Sequence, residues 1–283
     1  MNVALRLAVL GSGSGGNATL VEGGGARILV DAGFSCRGLV QRLRFVGVEP
    51  DTLDAILITH EHADHLGGAA AFSGKHGVPI YCTRGTARAA GLSIAMEGEL
   101  PFPPARTRTA DGDAPPPPPA RPVEAGRDFA IGRLTVRPFG VPHDAVETVG
   151  FVVSDGAGAR VGYATDLGHG PRPVRDGLLD CDALVIEANH DLGMLRAGPY
   201  PESVKERVLS RHGHLDNTAA ADLLCDVARE RTRTVVLAHL SRTNNHPEIA
   251  LHCVRRRFAD HGRRAPTVLA ADQAKPMPWV TVA

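Results

Sequence analysis

The apolar run from Asp54 to Ile58 (DAILI) ends directly in Thr59-His60-Glu61-His62-Ala63-Asp64-His65. His60, His62, Asp64 and His65 place four potential metal ligands within six residues. Imidazole suits zinc, iron and manganese, and a carboxylate adds a harder ligand. Gathering unpaired histidine and aspartate side chains in the interior is costly unless a cation compensates them. The chain is therefore constrained to a fold in which a strand end delivers this loop to a metal. Four ligands this dense can serve two ions, with His60 and His62 turned one way and Asp64 and His65 the other.

The rest of the chain has the material for such a frame. Its 283 residues are 43% hydrophobic and 22% charged, globular usage that excludes a disordered, collagen-like or coiled-coil chain. A chain of this length buries a sizeable core without disulfides. Runs at 4–10, 17–22, 26–31, 54–58, 78–82, 129–131, 134–139, 148–154, 159–164, 182–186, 234–238 and 267–270 predict strands. Helical patterns at 34–45, 66–76, 83–91, 203–211, 217–230 and 247–260 lie between them. No linker interrupts the mixture, which argues for one α/β (α+β) domain over residues 1–283 with its sheets covered by helices. At 101–122, PFPP, PPPPP and Arg121-Pro122 predict a surface insertion, because proline neither donates to a ladder nor fits a helix interior.

Charge and cysteine usage narrow the class. Lys and Arg number 31 and Asp and Glu 31, so no global basic field holds nucleic acid, and any such site is a local patch. Cys36, Cys82, Cys181, Cys225 and Cys253 are far apart and contain no CxxC pair. They read as free thiols in a reducing, cytoplasmic setting rather than as a disulfide framework. No apolar run in the sequence reaches the ~18 residues of a membrane helix. The N-terminal MNVALRLAVL lacks a basic start and is interrupted by Arg6, so it reads as a first strand rather than a signal peptide.

Gly11-Ser12-Gly13-Ser14-Gly15-Gly16 matches a dinucleotide fingerprint, with Asp31 at about the spacing of its ribose-binding acid. That fingerprint needs a helix next. Here NATLVEGGGAR follows, β-like and broken by Gly23, Gly24 and Gly25, which is a hairpin signal. The segment reads instead as a turn whose backbone amides, Ser12, Ser14 and Asn17 face a site. A plain tight turn between strands accounts for it equally well.

The H-x-H-x-D-H pattern at 60–65 resembles the metallo-β-lactamase superfamily. The resemblance implies a four-layer αββα sandwich of two mixed β-sheets covered by helices. It also implies a His after a later strand, a metal-bridging Asp and a last His after a C-terminal strand. His143 in VPHDA, Asp166 in ATDLG and His239 in VVLAHLS hold those places. The implied site has His60, His62 and His143 on one metal, Asp64, His65 and His239 on the other, and Asp166 between them. Two divalent ions, zinc or manganese with iron also compatible, are the implied cofactors. Glu61 does not fit as a ligand, and His76, His212, His246, His252 and His261 read as surface residues.

Within the superfamily, LVIEANH at 184–190, Gly213-His214 and His239-Leu240-Ser241-Arg242 resemble motifs of tRNase Z-like phosphodiesterases. Carried over, Glu187 orients His214, and His214 protonates the leaving oxygen; Asp64, Glu187 and His214 are the implied catalytic residues. LGSGSGGNATLVE, LVDAG, THEHADHLGG, PHDAVETVGF, ATDLGH, IEANHDLGMLRAGPYP, KERVLSRHGHLDN and LAHLSRTNN together look like the YycJ/WalJ-type branch. That likeness implies 5′-to-3′ exonuclease action on DNA. Asp216 stands where the branch carries Ser, which puts an acid beside the implied phosphate path. Ser12, Ser14, Asn17, Asn189, His190, Arg242, Asn244 and Asn245 are the candidate substrate contacts, with Arg196, Lys205, Arg207 and Arg211 as further positive charge. The basic run Arg255-Arg256-Arg257, with Arg263 and Arg264 nearby, reads as a solvated helix face or a nucleic-acid patch. Rival readings are hydrolysis of an RNA 3′ end or a small phosphodiester, and a metal-binding scaffold with little catalysis.

Overall fold

The computed structural model describes residues 4–95 and 119–282. The first half forms β1 (Arg6–Gly11), β2 (Ala18–Gly23), β3 (Ala26–Val30), α1 (Cys36–Phe45), β4 (Ala55–Leu57), α2 (Ala63–Leu66), α3 (Ala69–His76), β5 (Ile80–Cys82), α4 (Arg84–Ala89) and β6 (Arg121–Pro122). β1, β2 and β3 pair antiparallel, and β3, β4, β5 and β6 then run parallel. The second half repeats the plan with β7 (Phe129–Ile131), β8 (Leu134–Gly140), β9 (Val149–Ser154), β10 (Arg160–Ala164), α5 (Arg172–Leu178), β11 (Ala183–Glu187), α6 (Leu192–Ala197), α7 (Glu202–Leu209), α8 (Asn217–Val227), β12 (Thr234–Ala238), α9 (Pro247–Asp260) and β13 (Thr267–Ala270). β7 to β10 are antiparallel, and β10 to β13 are parallel. The last strand, β14 (Val280–Thr281), returns to pair with β1, so each sheet has seven strands among the described residues.

β4, β11 and β12 are buried at every position. Parallel strands covered on both faces lose the alternation of a half-exposed strand and become continuous Val, Ile, Leu and Ala runs. Three apolar clusters match that covering. One joins Leu39, Leu43 and Phe72 to the outer face of the first sheet. A second, with Val30, Phe151, Tyr163 and Val236, lies between the sheets. A third packs Leu178, Leu224 and Phe258 on the outer face of the second sheet. This is the expected αββα sandwich, and it turns the carboxyl ends of the parallel strands toward one edge. In open α/β sheets ligands gather at such an edge.

Two sequence expectations change. The helix expected over 66–76 is two helices, α2 and α3, separated at Gly67 and Gly68. A Cβ on Gly68 would meet the Phe34 carbonyl oxygen at 1.9 Å, so this close approach requires glycine and breaks the helix. The surface insertion expected over 101–122 ends earlier. Residues 101–118 lie outside the described residues, but Ala120 is 1% exposed and bridges Ile94, and β6 adds to the sheet beside β5. Pro122 is accommodated because β6 is the edge strand.

Candidate metal centre

β4 ends at Leu57, and the chain turns at Thr59 into His60 and the short helix α2, which carries Asp64 and His65. His143 follows β8, Asp166 follows β10, Glu187 closes β11 and His239 follows β12. Asp31, Asp166 and His239 each adopt positive φ, 61°, 58° and 54°. Non-glycine residues in that region are uncommon and concentrate where surrounding structure holds them for a function. Each lies just past a strand end, where the reversal aims the side chain across the edge.

The structure brings all seven expected ligands together. The His143 Nε2 and His62 Nδ1 atoms are 3.4 Å apart, and the His60 ring centroid lies 4.6 Å from that of His62 and 5.0 Å from that of His143. Asp166 is the hub. Its carboxylate lies 3.0 Å from His65 Nε2, 3.5 Å from His239 Nε2, 3.7 Å from His214 Nδ1 and 3.9 Å from His143 Nε2. Asp64 Oδ2 is 3.2 Å from His239 Nε2. Among the described residues, His60–His62–His143, His60–His65–Asp166, Asp64–His65–His239 and Asp166–Glu187–His214–His239 each offer donor atoms within 4.8 Å of one another. The buried His60 Nε2 has no hydrogen-bond partner. An orphaned buried imidazole nitrogen amid acids and other imidazoles fits a bound cation.

Electrostatics point the same way. Burial, aided by His65, pushes His60 well below the ordinary histidine range. Burial also pulls on His65 and His239, but Asp166 and the other carboxylates outweigh it, raising His65 well above that range and His239 to about 10. Without metal, protons on these two rings supply the positive charge that the acids demand.

Glu187 is fully buried, and its Oε1 lies 2.8 Å from His214 Nδ1 and 3.2 Å from His239 Nδ1. Burial alone would raise the Glu187 carboxyl; His214 and His239 bring it down to about 2. In turn Glu187 overcomes the burial of His214 and raises that ring. Backbone amides of Leu167 and Leu215 donate to Glu187 Oε2 at 3.0 and 3.1 Å, which fixes the carboxylate. His214 keeps 16% of its side chain exposed at the mouth of the cluster.

Several expected substrate contacts are instead internal supports. Asn17 is completely buried, and its amide lies 3.0 Å from His65 Nε2 and donates to the Asp64 carbonyl at 3.2 Å. Ser12 donates to Asn17 at 2.8 Å and accepts from the His239 amide at 2.8 Å. Asn245 bonds Asn217 and the Ala188 carbonyl in the interior. These three position the ligand loops and have little surface left for substrate. Asn189 donates to the His239 carbonyl at 2.9 Å. Asp216 caps α8 by accepting from the Thr218 and Ala219 amides, so its charge meets a helix N-terminus rather than lying free on a phosphate path. Ser14 and Arg242 are exposed, whereas His190 and Asn244 are each 1% exposed. Both ring nitrogens of His190 and the Asn244 Oδ1 lack partners.

Three further residues belong to the site. Asp31 Oδ2 lies 2.8 Å from His65 Nδ1, and its carboxylate also accepts from the Thr59 amide and hydroxyl. The sequence offers Asp31 as the acid of a discarded fingerprint and within the LVDAG likeness, with no role attached; its position at a strand end before a loop is the signal that groups it with the others. Tyr163, from the opposite sheet, donates to Asp31 Oδ2 at 3.3 Å. Asp144 Oδ1 lies 3.1 Å from His143 Nε2, and Arg207 reaches Asp144 at 3.6 Å. Glu61, read as no ligand, accepts from the Val146 amide at 2.8 Å and pins the loop that follows His143.

A sequence profile described as Beta-lactamase superfamily domain matches residues 26–240. Exodeoxyribonuclease WalJ of Streptococcus pneumoniae serotype 2 (strain D39 / NCTC 7466) is 32% identical over 250 residues, 88% of this chain and 86% of that protein. The chain belongs to the beta-lactamase superfamily, in its WalJ/YycJ branch. Exodeoxyribonuclease YycJ of Bacillus anthracis is 33% identical over 248 residues, covering 88% of this chain and 87% of that one. Ribonuclease TTHA0252 of Thermus thermophilus is 31% identical over 204 residues, 68% of this chain but 44% of its own length. The metallo-β-lactamase fold protein YhfI of Bacillus subtilis superposes with a TM-score of 0.67 at 17% identity, covering 96% of this chain and 98% of that one. Human tRNase Z, short form, superposes at 0.61 and 19% identity over 98% and 99%. The superfamily's hydrolytic enzymes thus share both fold and sequence with this chain, which is an enzyme of that class. Among the described residues no helix is long and apolar enough to cross a membrane.

Proposed function

We propose that the protein is a two-metal phosphodiesterase that removes nucleotides from the 5′ ends of DNA. The observation that carries the reading is the Glu187–His214 contact of 2.8 Å beside Asp166. A metal cluster alone serves lactams, thioesters and phosphodiesters alike. A histidine whose pKa is raised by a buried carboxylate beside it suits a reaction whose leaving alkoxide must take up a proton. Full-length similarity to proteins named exodeoxyribonuclease supports DNA as the substrate.

In this reading His60, His62 and His143 would hold one divalent ion, Asp64, His65 and His239 would hold the other, and Asp166 would serve both. Such ions lower the pKa of water toward neutrality and stabilise the charge that develops on phosphoryl oxygens. The chain's own residues do the rest. Asp31, fixed by Thr59 and Tyr163, orients His65 through Nδ1. Glu187 holds His214 by Nδ1, which leaves Nε2 as the proton-carrying nitrogen for the leaving deoxyribose oxygen. Arg207 and Arg211, both exposed, lie beside Asp144 and His169 on the rim and supply charge for the phosphate backbone. The metal species expected are zinc or manganese, and the setting expected is cytoplasmic.

The partial match to a protein named ribonuclease favours one second reading, action on RNA. End-labelled DNA, end-labelled RNA and an aryl phosphodiester, given to the same metal-loaded protein, separate them. Faster loss of label from 5′-labelled DNA supports the proposal. Preference for RNA or for the aryl diester overturns it.

A further inference from the structure

The arginines near the C-terminus form one basic run in sequence but two groups in the structure. Those on α9 are engaged: Arg256 pairs with Asp260 at 4.0 Å, Arg257 pairs with Asp222, and Arg255 donates to the Val268 carbonyl at 3.4 Å. Arg263 and Arg264 instead join Arg229 and Arg233 around a cleft of about 710 Å³ with Phe258 and Pro266 in its wall. That volume falls in the ~300–1,000 Å³ range of small-molecule pockets. The cleft lies at the far end of β12 from the metal centre. Arg233 precedes the strand and His239 follows it, a separation of roughly 20 Å at ~3.3 Å per residue.

Helix capping explains part of this cluster. Arg263 donates to the Cys225 and Ala228 carbonyls, both at 2.6 Å, and so satisfies the end of α8. Arg229 donates to the Ala228 carbonyl at 3.1 Å. Capping does not explain Arg233 and Arg264, which form no ion pair or side-chain hydrogen bond among the described residues. Glu230 is the one acid in the lining. Four arginines and one carboxylate therefore line the cleft, an excess of positive charge that favours an anion. Guanidinium forks match phosphate oxygens in paired hydrogen bonds, which a chloride ion does not offer. The Phe258 ring is 1% exposed beneath the Arg263 guanidinium, so the apolar wall open to a ligand is that of the half-buried Ala265 and Pro266, which a bare phosphate leaves uncovered.

We infer that this cleft binds a phosphorylated small molecule of nucleotide size, its phosphate held by Arg233 and Arg264. The site is separate from the metal centre and stands whether or not DNA is the substrate there.

Calorimetric titration of metal-loaded, full-length protein with deoxyadenosine 5′-monophosphate tests it, with inorganic phosphate and a short DNA oligonucleotide as further arms. The unaltered protein takes up one more equivalent of the nucleotide than the Arg233→Ala/Arg264→Ala double variant, whose cleft affinity falls at least about tenfold. Inorganic phosphate competes for that equivalent more weakly than the nucleotide does. Both arginines are exposed, so the double variant keeps its melting temperature and its hydrolytic rate. A single Arg264→Glu variant, which reverses charge at one position, gives the same loss. Equal stoichiometry in the unaltered and variant proteins overturns the inference. So does phosphate binding as tightly as the nucleotide, which removes the size assignment. Loss of oligonucleotide binding without loss of mononucleotide binding also overturns it, because the cleft is then a nucleic-acid track.

Discussion

Glu187 has no exposed surface, yet its carboxylate is held down to about 2 by the imidazoles against it. The reciprocal effect raises His214, and a direct prediction follows from the sign. In Glu187→Gln the charge that raises His214 is gone, and burial lowers the ring. The proton-bearing form then requires lower pH, so the rate optimum moves toward acid while metal content, read by elemental analysis, is kept. His214→Ala removes the proton carrier and lowers kcat by ~10²–10⁴-fold. Asp166→Ala behaves differently: it lowers metal content at both positions, because one carboxylate faces both ligand sets. Unaltered metal content in that variant contradicts the bridging assignment. Metal-free protein should also show a distinctive stability profile. His65 and His239 are raised, so their contribution is full below the ordinary histidine value and is lost as pH rises above it, for His239 toward about 10. His60 and His143 are lowered, so protonating them in the unfolded chain removes stability as pH falls below about 6.5. Thermal melts in chelator should therefore peak near that value and flatten once metal replaces the protons. The proposed ligands stand out at this scale because their residue types are rare side by side and costly to bury without a cation. The role of Asp31 was not legible in the sequence, since its partner His65 is remote in sequence and only the fold joins them.

The elements matter through their ends. β3, β4, β8, β10, β11 and β12 stop at one edge, and the residue after each stop is aimed by the reversal rather than by its own preference. Those strands read clearly in sequence as apolar runs. The short helices α5 and α6, and β14, carry little periodic signal, and β6 lies at the end of a proline-rich stretch. Its membership of the sheet comes from pairing with β5, a tertiary contact that local pattern does not show. Ala120→Asp tests that membership. A charge in a position 1% exposed should cost at least ~2 kcal/mol, seen as a lowered denaturant midpoint. A second test concerns the support of α2. A Cβ on Gly33 would meet the Asp64 carbonyl oxygen at 1.7 Å, so Gly33→Ala must separate the loops after β3 and β4. The expected result is loss of metal at the Asp64 side together with a lower melting temperature.

Across the whole molecule, two similar halves meet face to face and their parallel strands deliver ligands to a shared edge. His60, His62, Asp64 and His65 come from the first sheet; His143, Asp166 and His239 come from the second. Neither half holds a complete ligand set, so the sandwich itself is the scaffold of the site. The balanced charge of 31 basic and 31 acidic residues implies that nucleic acid is held by a few rim cations. Its affinity should fall gently with salt, with a slope of log affinity against log salt near that of two or three phosphate contacts, roughly −2 to −3. The measurement that tests the central claim uses protein stripped of metal and reloaded separately with manganese and with zinc. It is given 5′-phosphorylated, end-labelled duplex DNA, with Asp64→Ala beside it. The account predicts metal-dependent release of nucleotides from the 5′ end that is absent in the variant. Intact DNA with both metals verified as bound, or equal release by the variant, contradicts it.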